Sequence, residues 1–234
     1  MPDATPDARA RLAQSWDANA DAWTRAVAAG TESRRAGTDA AVLDATLRAL
    51  ERAGGGAVLD AGCGEGWLLR ALRHAGVPAD GIDGSAELAR RAGARHLTYG
   101  DAVAHPERLG GPFAVVVFSF ALLDDRPAEV LSAAATRLAA GGRVVVQTLH
   151  PLGVAPPYAP GWREESFAGF GEAAFDPMPW YFHTLDSWMR ALGDAGLVLE
   201  RLDEPRHPDT GAVLSLVLTA VRAPGRGGTS PDRG

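Results

Sequence analysis

A nine-residue stretch, Val58-Leu59-Asp60-Ala61-Gly62-Cys63-Gly64-Glu65-Gly66, limits the possible folds of this 234-residue chain more than any other segment. A short apolar run leads into glycines at every second position, and Trp67 to His74 then read as a helix. Glycine reaches backbone conformations closed to other residues and lets a ligand approach the main chain. A helix that starts beyond such a bend presents unpaired amides to the same space. The segment therefore predicts a strand, a ligand-facing turn and a helix in direct succession, the building unit of a parallel sheet covered by helices.

The remaining sequence supplies that sheet. Residues 9–29 repeat apolar positions at helical spacing (Leu12, Trp16, Ala20, Trp23, Val27), with Gly30 as the stop. Thr38 reads as the cap of a second helix ending at Arg52. Strands are predicted at 57–61, at the segment ending in Ile82-Asp83, and at 96–99, 113–120, 143–149, 196–203 and 212–222. Helices fall after the capping Ser85, over 127–140, and from Thr184 to Ala195. Phe113 to Phe120 is almost continuously apolar, as a central parallel strand buried on both faces requires. Pro205, Pro208 and Gly211 between the last two strands predict a hairpin, so the final strand runs antiparallel.

The expected architecture is α/β: a doubly wound, seven-stranded, mostly parallel sheet with an antiparallel last strand, plus N-terminal cap helices. One domain spans 11–222, with the cap over 11–53 and flexible ends at 1–10 and 223–234. Residues 150–183 have no clear period and hold six prolines and most of the large aromatics. Structureless connectors of that length inside a domain are usually functional. This segment is read as a lid and substrate insertion.

Composition excludes several classes. A single cysteine, Cys63, rules out an internal disulfide and a multi-cysteine metal site. Every basic residue is arginine, which removes lysine Schiff-base chemistry. The net charge is −6 and no arginine stripe occurs, a poor match to a nucleic-acid backbone. Apolar runs fall short of the roughly 18 residues of a membrane span, and MPDATPDARA has no secretion-signal pattern. The expectations are a cytoplasmic protein, monomer or homodimer, with no metal and no nucleic-acid or membrane partner.

The turn at 62–66 can serve two ligand classes. Dinucleotide enzymes use G-x-G-x-x-G, whose third glycine packs helix on strand beside a pyrophosphate. Here that position is Trp67, and the third glycine comes one residue early. Asp60 at the strand end opposes a pyrophosphate and suits an ammonium. Asp83 ends the second strand, 17 residues after Gly66, where an acid can accept from two ribose hydroxyls. Asp101 follows the third strand, where a carboxylate can accept from an adenine amino group. An NAD-linked oxidoreductase and a non-catalytic module of the same fold are the competing readings.

The D-x-G-x-G-x-G segment with these downstream acids resembles the class I S-adenosylmethionine-dependent methyltransferases, small-molecule branch, over residues 10–222. The resemblance implies that S-adenosylmethionine is the cofactor and S-adenosylhomocysteine the product. It puts cofactor contacts on Asp60, Gly62, Cys63, Gly64 and Gly66, on Asp83, Gly84 and Ser85, on Asp101 and Ala102, and on Phe118 and Ser119. Trp23, from the segment Trp16 to Trp23, and Arg34 or Arg35 are implied as cap contacts. It also implies a small-molecule acceptor methylated at oxygen, nitrogen or carbon. Ser119-Phe120-Ala121-Leu122 departs from the loop of nucleic-acid amino methyltransferases, and Leu149-His150-Pro151 supplies no carboxylate for a metal-dependent catechol-type site.

Displacement at a sulfonium methyl needs chiefly an aligned nucleophile, and alignment contributes about 7–11 kcal/mol. Candidate general bases are His150, at the edge of the fifth strand, His183 and His207. Phe120, Tyr158, Trp162, Trp180 and Tyr181 are the expected acceptor-pocket walls.

Overall fold

The computed structural model describes residues 5–29, 35–167, 175–207 and 209–224. Its main sheet has seven strands in the order β3-β2-β1-β4-β5-β9-β8: β1 (Val58–Ala61), β2 (Ala79–Asp83), β3 (Arg95–His96), β4 (Phe113–Ser119), β5 (Leu138–Leu149), β8 (Leu197–Asp203) and β9 (Ser215–Arg222). Strands β1 to β5 pair in parallel, and β9 runs antiparallel to both β5 and β8. The seven-stranded sheet with its reversed last strand is thus as the sequence predicts. Two N-terminal helices, α1 (Thr5–Ala29) and α2 (Arg35–Arg52), precede it.

Side chains on β4 alternate between two cores. Val115 and Val117 pack with Val42, Ala45 and Ala49 of α2 and with Leu68 and Leu72 of α3 (Trp67–His74). Val116 and Phe118 face the other side, against Val130 and Leu131 of α6 (Pro127–Thr136) and Trp188 and Leu192 of α7 (Leu185–Asp194). This period of two on a strand covered on both faces explains its unbroken apolar run. The chain leaves β1 toward β2 on one side and reaches β4 on the other. The crevice beyond the carboxyl ends of β1 and β4 is therefore the place where such sheets bind ligands.

Several boundaries differ from the sequence reading. Helix α1 begins at Thr5, inside the segment expected to be flexible. Helix α2 begins at Arg35, so Thr38 is a buried helical residue rather than a cap. The predicted third strand at 96–99 is two residues long, because the Thr98 hydroxyl accepts the Asp101 amide and starts α5 (Tyr99–Ala104). Helix α6 stops at Thr136, and Leu138 already pairs with Phe113 at the start of β5.

The described part of the 150–183 segment is more ordered than its composition suggested. It folds back as a two-stranded antiparallel hairpin, β6 (Gly161–Glu165) and β7 (Met178–Phe182). The amide of Tyr181 donates to the Leu123 carbonyl at 2.8 Å, joining the hairpin to the loop after β4. Among the described residues, no helix is long and apolar enough to cross a membrane.

Candidate active site

A cavity of about 360 Å³ opens at the carboxyl ends of β1, β2 and β4, within the range of small-molecule sites. Its floor is the glycine turn. Gly62 has φ +80° and Gly64 φ +55°, both in the left-handed region that favours glycine. A Cβ on Gly62 would stand 2.5 Å from Ala121 Cβ and 2.7 Å from the Tyr99 hydroxyl, whereas one on Gly64 would face the Trp23 indole nitrogen at 3.4 Å. Gly62 thus permits close chain packing, and Gly64 leaves its backbone open toward the cavity.

Asp83 organises the wall beside the turn. It ends β2 almost fully buried and accepts the Gly64 amide on one oxygen and the Ser85 amide on the other, both at 2.8 Å. Burial raises its pKa, against the opposing pull of those two amides. Ser85 in turn caps α4 (Ala86–Ala92) through its hydroxyl. Asp60 is 2% exposed, and its carboxylate forms no hydrogen bond or ion pair among the described residues. Burial, with Asp83 and Glu65 nearby, pushes it up to about 8. Two buried acids without a basic partner suit an ammonium and hydroxyl donors, and oppose a pyrophosphate.

The roof comes from α1 and the hairpin. Leu12, Ala13, Trp16 and Trp23 of α1 line the cavity with Phe167, Met178 and Trp180. Polar contacts fix α1 at three points. Asn19, buried, exchanges hydrogen bonds with the Asp176 backbone at 3.0 and 2.8 Å. Arg9 forms a two-pronged ion pair with Asp125 at 2.5 and 2.6 Å. Arg91 of α4 donates to the Thr24 hydroxyl at 2.7 Å and pairs with Asp21. Among the described residues, the two non-glycines with positive φ, Phe120 (51°) and Phe167 (55°), both line this cavity. Such strain costs of order 1–3 kcal/mol each and concentrates at functional sites.

The structure brings together Gly62, Gly64, Asp83, Gly84, Ser85, Ser119, Trp23, Phe120 and Trp180 of the residues expected from sequence. Several others lie elsewhere. Gly66 serves packing, since a Cβ there would meet Ala92 at 2.9 Å. Cys63 is buried against Gly81, and burial pushes its thiol up. Phe118 and Ala102 belong to the core. Asp101 does not line the cavity: its carboxylate accepts the Thr98 hydroxyl at 2.9 Å and faces Arg108 at 3.3 Å. Asp60 lies beneath the turn. Arg34 lies outside the described residues, and of Arg35 only the backbone, at the start of α2, is described.

None of the three candidate histidines lines the cavity. His150 Nδ1 accepts the Leu152 amide, which leaves the proton on Nε2, 2.9 Å from Glu204. With both ring nitrogens engaged it has no lone pair to offer a substrate. His183 Nε2 donates to the Asp124 carbonyl at 2.8 Å, and burial lowers its pKa. His207 sits in the connector before β9, where its amide donates to Ala212. Tyr158 is 60% exposed, with its hydroxyl accepting the Leu185 amide, and Trp162 pairs edge-on with Tyr181, neither of them lining the cavity.

Sequence reasoning missed Arg9, Leu12, Thr98, Tyr99, Asp124 and Met178, all of which line the cavity. The Thr98-Tyr-Gly-Asp101 spacing is a helix-start signal and could have placed the first turn of α5 here. Among the described residues no group of three or more histidine, cysteine or acidic side chains is arranged to hold a metal ion.

The methyltransferase-domain family model matches residues 33–202. No curated protein sequence matches the chain. Among solved structures, Burkholderia thailandensis 1,6-didemethyltoxoflavin-N1-methyltransferase, determined with its substrate and S-adenosylhomocysteine, is 18% identical with TM-score 0.64, over 96% of this chain and 92% of that one. An S-adenosylmethionine-dependent methyltransferase from Mesorhizobium loti is 21% identical with TM-score 0.58, over 80% and 100% of the two chains. The sugar N-methyltransferase KedS8 from Streptoalloteichus is 19% identical with TM-score 0.56, over 78% and 87%. These likenesses establish a shared fold.

Proposed function

The chain belongs to the methyltransferase-domain family and has the class I S-adenosylmethionine-dependent fold, and on that premise we propose that it transfers the cofactor's methyl group to a small molecule seated in the same cavity. The supporting observation is the continuity of that cavity. The same cavity is lined by Gly62, Gly64 and Asp83 and by the apolar side chains of Trp16, Phe120, Phe167, Met178 and Trp180.

The donor set fits the cofactor. Asp83 is assigned the ribose hydroxyls, the turn at Gly64 the methionine end, and Leu88 with Thr98, Tyr99 and Gly100 the adenine. When bound, the cofactor supplies a methyl group already activated on a sulfonium. The protein's part is to align the acceptor and exclude water, which the aromatic walls favour. A small acceptor agrees with the enclosing roof, and two of the structural neighbours are by name methyltransferases of small molecules.

Calorimetric titration of the full chain with S-adenosylhomocysteine tests the reading. One site per chain is expected, with Asp83→Ala weakening binding at least tenfold while the fold persists. Absence of binding by the folded wild-type chain refutes it. A metabolite screen for S-adenosylhomocysteine release then identifies the acceptor.

A further inference from the structure

One carboxylate that lines the cavity has no part in the cofactor assignments above. Asp124, in the loop after β4, lines the cavity, and its Oδ1 accepts the Arg126 amide at 3.0 Å. Its Oδ2 has no hydrogen-bond partner among the described residues. The loop cannot easily turn it away. His183 Nε2 donates to the carbonyl of Asp124, and the Tyr181 amide donates to the carbonyl of Leu123, each at 2.8 Å.

The charges around this oxygen select its ligand. On its own loop lie Asp125 and Arg126, α1 contributes Arg9, α6 contributes Glu129, β6 contributes Glu165, and His183 approaches from the end of β7. Arg9 is held by both oxygens of Asp125, and Arg126 is exposed and pairs with Glu129 at 3.2 Å. Burial keeps His183 neutral near pH 7. Asp124 therefore brings a carboxylate whose neighbouring arginines are already paired to a cavity with aromatic walls, while Glu165, which lines the same cavity, accepts the Phe167 amide on one oxygen at 2.7 Å. A carboxylate or phosphate acceptor would be repelled there, whereas an ammonium is attracted by both the Asp124 carboxylate and the ring faces.

We propose that the acceptor nucleophile is an amine nitrogen on an apolar, aromatic-bearing body, and that Oδ2 of Asp124 binds this nitrogen and takes its proton. The inference rests on the methyl-transfer reading of the same cavity. The amine enters as an ammonium, is paired by Asp124, and gives up one proton to Oδ2. The freed lone pair forms the new nitrogen–carbon bond as the carbon–sulfur bond breaks, with sulfur keeping that electron pair. The proton on Asp124 leaves to solvent with the product. Burial raises Asp124 from the ordinary carboxylate range, which suits a group that must hold a proton for part of each cycle. His183 is then a positioning residue that acts through the Asp124 backbone.

Ligand-observed NMR and calorimetry on the full chain loaded with S-adenosylhomocysteine test this, with phenethylamine, 2-phenylethanol and 3-phenylpropanoate as shape-matched probes. The amine is expected to bind at least tenfold more tightly than the alcohol, and the carboxylate not at all. Asp124→Asn, near in shape, is expected to abolish the amine's advantage while changing S-adenosylhomocysteine affinity less than twofold; Asp124→Glu is expected to restore part of it. Equal or absent binding of the amine by the loaded wild-type chain overturns the inference and needs no variant to fold. So does an amine preference that survives in Asp124→Asn. Failure of the wild-type chain to bind S-adenosylhomocysteine is a separate result, which removes the methyl-transfer reading and this inference with it.

Discussion

Alanine at Gly62 and alanine at Gly64 separate folding from ligand binding within one turn. A left-handed conformation costs an L residue about 1–2 kcal/mol, and both positions carry it. At Gly62 the added Cβ also meets Ala121 Cβ at 2.5 Å and the Tyr99 hydroxyl at 2.7 Å. Neither can easily retreat, because Ala121 opens the loop after β4 and the Tyr99 hydroxyl donates to the Ala61 carbonyl at 3.1 Å. Overpacking of this kind adds about 1–3 kcal/mol, so Gly62→Ala is expected to lose roughly 2–5 kcal/mol in total. At Gly64 the new atom meets only the Trp23 indole nitrogen at 3.4 Å. The stability loss there is about 1 kcal/mol, from backbone strain partly offset by a less flexible unfolded chain. Its methyl group occupies the face assigned to the methionine end, so S-adenosylhomocysteine affinity is expected to drop at least tenfold. Urea unfolding followed by circular dichroism gives the first quantity and calorimetry the second. A Gly62→Ala protein within about 1 kcal/mol of wild type would refute the packing argument. Full cofactor affinity in Gly64→Ala would refute the assignment of that face.

Three further outcomes follow from the same geometry. Asn19→Ala strands the Asp176 amide and carbonyl, and urea unfolding is expected to show a loss of about 1–3 kcal/mol, with hydrogen exchange rising in the β6–β7 hairpin; unchanged exchange there counts against a strapped roof. Gln147→Ala breaks a buried junction to the Thr38 carbonyl and the hydroxyls of Ser119 and Ser215, and is expected to cost roughly 1–3 kcal/mol with weaker cofactor binding, since Thr38 and Ser119 line the cavity. Asp60 is protonated in the folded protein up to about pH 8, but in the unfolded chain only below the usual carboxylate value. Between these limits the native state holds more protons, so its ligand-free stability falls as pH rises from about 4 to 8. Asp60→Asn is expected to flatten that slope in unfolding experiments across the range, and an unaltered slope would contradict the buried-acid assignment.

The parts of the site legible in sequence are those set by neighbouring residues along the chain. Gly62 and Gly64 announce a turn, Asp83 is fixed at a strand end by the Ile82-Asp83-Gly84-Ser85 pattern, and Ser119 and Phe120 follow the apolar run of β4. The roof was only partly legible, because it depends on contacts between distant segments. Nothing adjacent in the chain marks Asn19, Arg9 and Arg91, whose partners Asp176, Asp125 and Thr24 come from distant segments. His150 shows the reverse error. Its strand-edge position was foreseen, but Glu204 and the Leu152 amide, which occupy its ring, arrive from outside the pattern that singled it out. Asp101 was misplaced by one local choice, a strand in place of the helix that Thr98 caps.

The central claim is that the Gly62–Gly64 turn and Asp83 receive an adenosine with a methionine tail. A crystal structure of the chain grown with S-adenosylhomocysteine measures this most directly. The account predicts density for the ribose within hydrogen-bond distance of Asp83 and for the amino-acid tail against Gly64 beneath Trp23. Density for the nucleoside at another edge of the sheet, or a pyrophosphate accommodated at the turn in crystals soaked with NAD, would contradict it.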